Sequence, residues 1–240
     1  MSKIEWTNNT WNPITGCSKL SPGCAHCYAE VMTRRLQAMG QVKYQDGFEV
    51  VKFHEEALHL PATWKKPSMV FVNSMSDMFH GDLTPETLHQ IFSVMNQCDW
   101  HTFQVLTKRS DRLREMAEYL TWTPNIWMGV SVENKRAKTR IDDLRQVGAA
   151  VRFLSVEPLL EDLGELNLAG IDWVVVGGES GPKARPMKEE WVLPILRQCQ
   201  DEGVPFFFKQ WGGRNKKAAG AELLGQKWYQ WPTLPAAQPA

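Results

Sequence analysis

The sequence lacks any apolar run of the roughly 18 residues that a membrane-spanning helix needs. Its first residues, MSKIEWTNNTW, also lack the basic and then apolar layout of a secretory signal peptide. These absences argue against a membrane protein and against a secreted one, so we expect a cytoplasmic protein with no membrane partner. The chain also has no net charge, since 27 basic residues balance 27 acidic ones. A neutral chain has no overall attraction for nucleic acid or anionic lipid, which leaves only local patches.

A second cysteine pair is missing as well. Three of the five cysteines, Cys17, Cys24 and Cys27, lie within eleven residues, a spacing that suits metal ligation better than a disulfide framework. Structural zinc sites take four ligands, commonly as two pairs, and this chain has no second C-x2-C. Cys98 and Cys199 stand alone, and we expect them to be buried as small apolar residues.

The cysteine triplet leaves three interpretations open. One is structural zinc with His26 as the fourth ligand, although His26 would have to fold back between two ligating neighbours. Another is three bystander thiols in a reducing cytosol. The third is a [4Fe–4S] cluster held by three cysteines, in which one iron stays open to an outside ligand. Such a cluster binds a substrate or cofactor in addition to carrying electrons.

Short apolar runs alternate with helix-like stretches from residue 69 to residue 208, which is typical of a parallel β/α protein. The helix-like stretches cover 85–98, 110–120, 134–148 and 188–203, with capping signals at Thr84 and Ser110. Residues 156–172 are too short and too glycine-interrupted for a helix. The predicted strands are Met69 to Val72, Phe103 to Leu106, Ile126 to Val130, Val151 to Leu154, Trp173 to Val176 and Pro205 to Phe208.

We predict an α/β fold of this chain, a partial (β/α)6-type TIM-like barrel with an N-terminal cysteine loop. A doubly wound open sheet is the alternative, because periodicity does not fix the strand order. One domain is expected over residues 1–212, with an insertion at about 41–67 that carries one helix at 54–64. Residues 213–240 are expected to form a C-terminal extension with a flexible tail.

Polar residues follow all six predicted strands. Because the carboxyl-end loops of parallel β/α folds build the active site, this ring suits a polar cofactor pocket. Ser110 and Asn134 are equally well explained as helix caps. Gly177 and Gly178 either form a tight turn or let a flat or anionic ligand approach the backbone. The charged residues at these ends, whose burial without partners would be costly, are Lys108, Glu133, Glu157 and Glu179.

Several of these motifs together resemble a known enzyme superfamily. NPITGC, the cysteine triplet with Tyr-Ala after its last cysteine, and the polar strand ends are similar to radical S-adenosylmethionine (SAM) proteins. More narrowly, the chain resembles a phage-associated and bacterial family of uncharacterised proteins over nearly its whole length. The motifs that carry this narrower resemblance are VNSMSDMFH, LTKR, GVSVEN, SVEPLL and GGESG.

Among characterised radical SAM enzymes, the strand ends look most like those of spore photoproduct lyase and its relatives. That resemblance implies SAM contacts from Ser76, Asp77, Lys108 and Ser131. The cysteine spacing departs from the usual pattern, being x6 then x2 instead of x3 then x2, and Arg109 stands where the relative has serine. The Gly-Gly-Glu motif follows a late strand, which points to the substrate or the methionine moiety. The other candidate cofactor-binding residues are Glu133, Glu157, Gly177, Gly178 and Glu179.

The resemblance implies a [4Fe–4S] cluster on Cys17, Cys24 and Cys27, with SAM as the second cofactor. Cleavage of SAM would give a 5′-deoxyadenosyl radical that removes hydrogen from a substrate. Nucleic acid, undergoing repair or modification, is the favoured substrate. A flavodoxin or ferredoxin is the expected electron donor.

A second class of function stays open, a non-enzymatic, metal-stabilised module that binds nucleic acid or another partner. The neutral net charge disfavours it, since such affinity depends on neutralising phosphates. A polar ring and an open iron would also be superfluous in a binding module. Its candidate phosphate contacts are Arg34, Arg35, Arg136, Lys138, Arg140, Arg214, Lys216 and Lys217.

Overall fold

Seven parallel strands form one sheet in the computed structural model, which describes residues 5–233 apart from the side chains of residues 216 and 217. Within this sheet the spatial order follows the chain order. The sheet curls into a half-barrel, which is compatible with the predicted partial TIM-like barrel. The strands are β1 (Asn9–Trp11), β4 (Met69–Val72), β5 (Thr102–Thr107), β6 (Ile126–Ser131), β7 (Val151–Val156), β8 (Trp173–Gly177) and β9 (Phe206–Gln210).

Two further short strands, β2 (Ile14–Thr15) and β3 (Lys52–Phe53), pair with each other in antiparallel fashion. The six predicted strands are all present, with ends that either agree or differ by at most two residues. The sequence pattern does not reveal β1, because a three-residue strand is too short to display alternation. The doubly wound alternative is wrong, since its strand order would reverse within the sheet whereas this order runs in sequence.

Helices follow most of the strands at the places that the sequence predicts. Thr84 caps the second helix, and its hydroxyl accepts a hydrogen bond from the Thr87 amide at 3.3 Å. The expected cap at Ser110 is wrong, because Ser110 is already helical and its hydroxyl donates to Asp143 instead, at 2.6 Å. The link over residues 156–172 contains no helix, as predicted. The helices are α1 (Tyr28–Ala38), α2 (Pro85–Gln97), α3 (Ser110–Ala117), α4 (Thr139–Arg145), α5 (Glu189–Asp201) and α6 (Lys216–Ala219).

The insertion at 41–67 does not contain the expected helix at 54–64. Two 3-10 turns, Glu55–Ala57 and Leu60–Thr63, occupy that stretch instead. Pro61 explains the difference, since a proline inside an α-helix lacks the amide hydrogen and clashes with the preceding turn. The prediction of one regular helix there is therefore wrong.

The two faces of the sheet have different cores. Alternate strand residues such as Val105 and Val174 pack against the helices in a mainly aliphatic layer. The inner face of the half-barrel is aromatic, and Trp6 fills it, with ring centroids 5.0 Å from Phe71 and 5.9 Å from Phe153. This packing closes the floor of the half-barrel and leaves the carboxyl ends of the strands as its polar opening, which we call the mouth.

The described part of the C-terminal extension packs along β9. Phe208 donates its amide to the Trp228 carbonyl at 2.8 Å, and Trp231 stacks on Trp173 with ring centroids 4.9 Å apart. The tail beyond residue 233, expected to be flexible, lies outside the described residues. In the part of the chain that the structure covers, no helix is long and apolar enough to cross a membrane.

Candidate functional site

The chain from residue 16 to residue 27, here called the cysteine segment, lies across the mouth. It carries the three clustered cysteines and is attached at the ends of β4, β6 and β8, so a single stretch of backbone spans five adjacent strands. The three attachment pairs are Gly16 with Ser76, Ser21 with Glu133, and His26 with Glu179. The structure therefore brings the cysteines and the predicted strand-end residues to the same edge of the sheet.

The first attachment uses Ser76 and Asp77, both expected to contact SAM. The Ser76 hydroxyl donates to the Gly16 carbonyl. Asp77 accepts hydrogen bonds from the Thr107 hydroxyl at 2.6 Å and from the Lys108 amide at 3.0 Å, and so ties the ends of β4 and β5 together. Gly16 has a φ of +83°, and a Cβ there would lie 1.9 Å from the Val50 carbonyl oxygen, so only glycine fits.

The second attachment centres on Glu133, which is fully buried. Its carboxylate accepts from the Ser21 hydroxyl and from the Arg140 guanidinium, the latter at 2.7 Å. Burial alone would raise the pKa of Glu133, but the charges of Lys108 and Arg140 and the Ser21 hydroxyl outweigh it and lower that pKa. Gly23 packs directly on this carboxylate, since a Cβ at Gly23 would lie 3.0 Å from it. Glu133 thus holds the cysteine segment from beneath.

The third attachment centres on Glu179 of the Gly-Gly-Glu motif. Its Oε2 contacts His26 Nδ1 at 3.0 Å and accepts from Arg185 Nε at 2.9 Å. Arg185 also donates to the Pro22 carbonyl at 2.9 Å, which adds a second link to the segment. Burial opposes ionisation, yet the hydrogen bonds from Arg185 and His26 hold the pKa of Glu179 at about 2. Glu179 is therefore an anion that anchors the segment.

Two lysines line the mouth between these attachments. Lys108 Nζ donates to the Ser131 hydroxyl at 3.0 Å. Lys209 Nζ pairs with both oxygens of Glu157, at 2.7 and 2.9 Å. Lys108, Glu157 and Lys209 are only half-buried, so none of the three is sealed inside the core. The candidate set from the sequence omits Lys209, although its alternation with Phe207 on β9 already places it on the inner face.

Each of the two glycines in the Gly-Gly-Glu motif leaves room for a different neighbouring group. A Cβ at Gly177 would lie 3.2 Å from the Glu157 carboxyl carbon, so the missing side chain lets that carboxylate cross the strand. A Cβ at Gly178 would lie 2.0 Å from the Trp211 carbonyl oxygen. The backbone after β9 passes so close to position 178 that only glycine fits there, whether or not a ligand binds.

The three clustered cysteines are half-buried free thiols, and Cys17 and Cys24 differ in acidity. Burial, helped by the charge of Asp77, raises the pKa of Cys17 to about 11. Burial also opposes ionisation of Cys24, but backbone hydrogen bonds from Leu20 and Ser21 and the charge of Lys108 outweigh it and lower that pKa. Within residues 5–233, no three His, Cys, Asp or Glu side chains converge in a preformed metal-binding arrangement. Metal binding would have to draw the thiols together.

His54 and His59 have the H-x4-H spacing of a zinc half-site, a signal that the cysteine-based interpretation leaves aside. His54 is buried, and its Nε2 lies 2.7 Å from the Thr15 hydroxyl. His59 is exposed. One ring is thus engaged within the protein and the other faces solvent, so this pair does not complete a site with the cysteines.

Several candidate phosphate contacts are already engaged inside the protein. Arg140 is paired with Glu133, and Lys138 donates to the carbonyls of Leu163 and Glu165. Arg34 pairs with Glu30. The side chains of Lys216 and Lys217 lie outside the described residues. These engagements remove part of the basic surface on which a nucleic-acid-binding module would depend.

Comparison with known families gives one match. The family model described as "Protein of unknown function (DUF5131)" matches residues 1–232. The chain matches no curated protein and no solved structure. A match of this length covers the half-barrel, the cysteine segment and residues 213–232 of the C-terminal extension. By this match the chain belongs to the DUF5131 family of proteins of unknown function.

Proposed function

We propose that this protein is a radical SAM enzyme in which Cys17, Cys24 and Cys27 ligate a [4Fe–4S] cluster at the mouth of the half-barrel. The observation that carries the proposal is the attachment of the cysteine segment across the strand ends, through the contacts of Ser21 with Glu133 and of His26 with Glu179. In parallel β/α folds the carboxyl ends of the strands are where catalytic sites are built.

The donor chemistry fits the proposed cluster. Thiolates are the ligands of iron–sulfur clusters, and three of them leave one iron for SAM. The lowered pKa of Cys24 makes its thiolate easier to form than that of an ordinary cysteine. The cysteines do not converge beforehand, so the segment between its fixed points is expected to rearrange when the metal binds. When bound, the cluster would supply the electron that cleaves SAM, giving a radical that removes hydrogen from the substrate.

The chain's own residues divide into two groups under this proposal. Glu133 and Glu179 position the cysteine segment. The carboxylate of Glu133 is already bonded to Ser21 and Arg140, and that of Glu179 to His26 and Arg185. Lys108 with Ser131, and Glu157 with Lys209, face the mouth and offer a cation, a hydroxyl and a carboxylate to the polar groups of SAM. We keep Ser76 and Asp77 as candidate SAM contacts, although their present hydrogen bonds are made within the protein.

Metal analysis and spectroscopy of anaerobically prepared protein test the proposal. We expect about four irons and four sulfides per chain, and an electron paramagnetic resonance signal of the dithionite-reduced protein that changes when SAM is added. Cys24→Ala should lose the cluster, whereas Cys98→Ala, a buried thiol away from the mouth, should keep it. One tightly bound zinc, or an iron signal that does not change when SAM is added, would overturn the proposal of an enzyme and would support a structural role for the metal.

The proposed substrate is a nucleic acid. Two arguments support it: the resemblance to spore photoproduct lyase, and the open side of the half-barrel, which admits a bulky molecule. Formation of 5′-deoxyadenosine from SAM should increase when oligonucleotides are supplied. The matched control is the corresponding mixture of free nucleosides. Equal stimulation by both, or protection data that reveal a closed small pocket, would count against nucleic acid as the substrate.

A further inference from the structure

Helix α1, which begins directly after Cys27, has an exposed apolar face. Tyr28, Val31 and Met39 are 63, 64 and 62% exposed, and only Ala29 and Thr33 of the helix are buried. Helical spacing puts Tyr28 and Val31 on one side of α1, and Met39, the residue directly after the helix, continues that side. Exposed apolar side chains grouped on one side of a helix are a feature of interaction sites on soluble proteins. We call this side, which also includes Arg35, the α1 face.

The α1 face adjoins the cysteine segment. Tyr28 is the next residue after Cys27, and Leu20, which is 50% exposed, lies within the segment itself. Anything that covers this face therefore sits beside the proposed metal ligands.

The charge around the α1 face is positive. Lys19, Arg34 and Arg35 stand against one carboxylate, Glu30, which Lys19 contacts at 2.9 Å and Arg34 at 2.5 Å. Arg35 is exposed and has no ion pair within the described part of the chain. Apolar contact with a basic rim complements an acidic protein. A nucleic acid would satisfy the arginines and stack a base on Tyr28, but it would leave the aliphatic Val31 and Met39 uncovered.

We propose that the α1 face docks an acidic one-electron carrier protein of the flavodoxin class, which reduces the proposed cluster. This inference rests on the proposed function, which requires an electron. The carrier is oxidised by one electron and the metal site is reduced by one, with no bond made or broken at the interface. Docking here brings the two redox groups together at Cys27 and leaves the mouth free for substrate.

Two electron donors separate docking from chemistry. Dithionite is a small molecule that needs no docking surface, whereas reduced flavodoxin does. Arg35→Glu and Val31→Asp should each lower flavodoxin-driven formation of 5′-deoxyadenosine about tenfold or more and leave dithionite-driven formation unchanged. The matched control is Arg197→Glu on α5, another exposed arginine, which should behave like wild type with both donors.

The outcomes are distinguishable. Wild-type rates in both α1 variants with flavodoxin would overturn the docking proposal. If the wild type cleaves no SAM even with dithionite, the proposed function fails, and calorimetric binding of flavodoxin then decides the docking proposal alone. Binding that Arg35→Glu abolishes supports the α1 face, and no binding or equal binding refutes it. Loss of oligonucleotide binding in Arg35→Glu with flavodoxin binding intact would assign the face to nucleic acid and also refute it.

Discussion

Replacement of Gln104 by methionine is expected to raise the thermal midpoint of the protein. Gln104 is fully buried on β5, and neither its amide nitrogen nor its amide oxygen has a hydrogen-bond partner among the described residues. Its neighbours in register are Phe71 on β4 and Trp127 on β6. A polar amide in this aromatic layer bears a desolvation cost that methionine, of similar length and volume, does not bear.

The size of the effect follows from the two unpartnered atoms. A buried polar group without a partner costs about 1 to 3 kcal/mol, and for a chain of this size each kcal/mol moves the midpoint by about 2 to 4 °C. Gln104→Met should therefore raise the midpoint by roughly 2 to 12 °C in differential scanning calorimetry under reducing conditions. Gln97→Met, at an exposed position on α2, should change stability by less than about 0.5 kcal/mol.

A lower midpoint for Gln104→Met, with Gln97→Met unchanged, would refute this reasoning. That result would mean that the folded protein satisfies the Gln104 amide, for instance through an internal water bridging it to the indole nitrogens of Trp6 and Trp127, which also lack described partners. Urea denaturation of both variants would confirm whichever result calorimetry gives.

Three further predictions concern the cysteine segment and the Gly-Gly-Glu motif. Iodoacetamide at pH 8 should alkylate Cys24 at least about tenfold faster than Cys17, because a pKa of about 11 leaves little Cys17 thiolate. Peptide mass spectrometry measures both rates. Faster alkylation of Cys17 would contradict the assigned electrostatics. Gly178→Ala should destabilise by roughly 3 kcal/mol through backbone overlap, and Gly177→Ala by about 1 kcal/mol or less, in urea denaturation. Similar losses in both variants would show that the close approach at Gly178 is relieved. Glu179, whose pKa is depressed to about 2, stabilises the fold above its ordinary value near pH 4.5, and that contribution is lost as the pH falls toward 2. Glu179→Gln should cost about 2 kcal/mol at pH 7 and show a shallower loss of stability between pH 5 and pH 3, and parallel pH profiles would disprove the assignment.

The sequence predicts the fold well where the signal is local. Continuous apolar runs identify β4 to β9, and Thr84 before Pro85 marks the start of α2. The errors arise where a distant contact or one residue decides. Asp143 attracts the Ser110 hydroxyl away from a capping role, and Pro61 breaks the expected helix.

The sequence predicts which residues belong to the site better than it predicts what each of them does. Sequence spacing identifies the strand-end residues because parallel strands bring their carboxyl ends to one edge. It does not reveal that Glu133 and Glu179 hold the cysteine segment, since His26 and Glu179 are 153 residues apart in the chain. Alternation along β9 places Lys209 on the inner face, but its pairing with Glu157, 52 residues away, is likewise beyond what sequence spacing reveals.

The attachment of an N-terminal segment to late strands has a consequence for the order of events during synthesis. The cysteines leave the ribosome early, but Glu179 and Arg185, which fix the far end of their segment, are made only after about three quarters of the 240 residues. Until then the end of the segment that carries Cys27 has no fixed position, and its thiol stays open to oxidants. A newly made chain thus depends on the reducing state of its surroundings for most of its translation, and assembly of any metal centre on these cysteines must wait until the half-barrel is nearly finished.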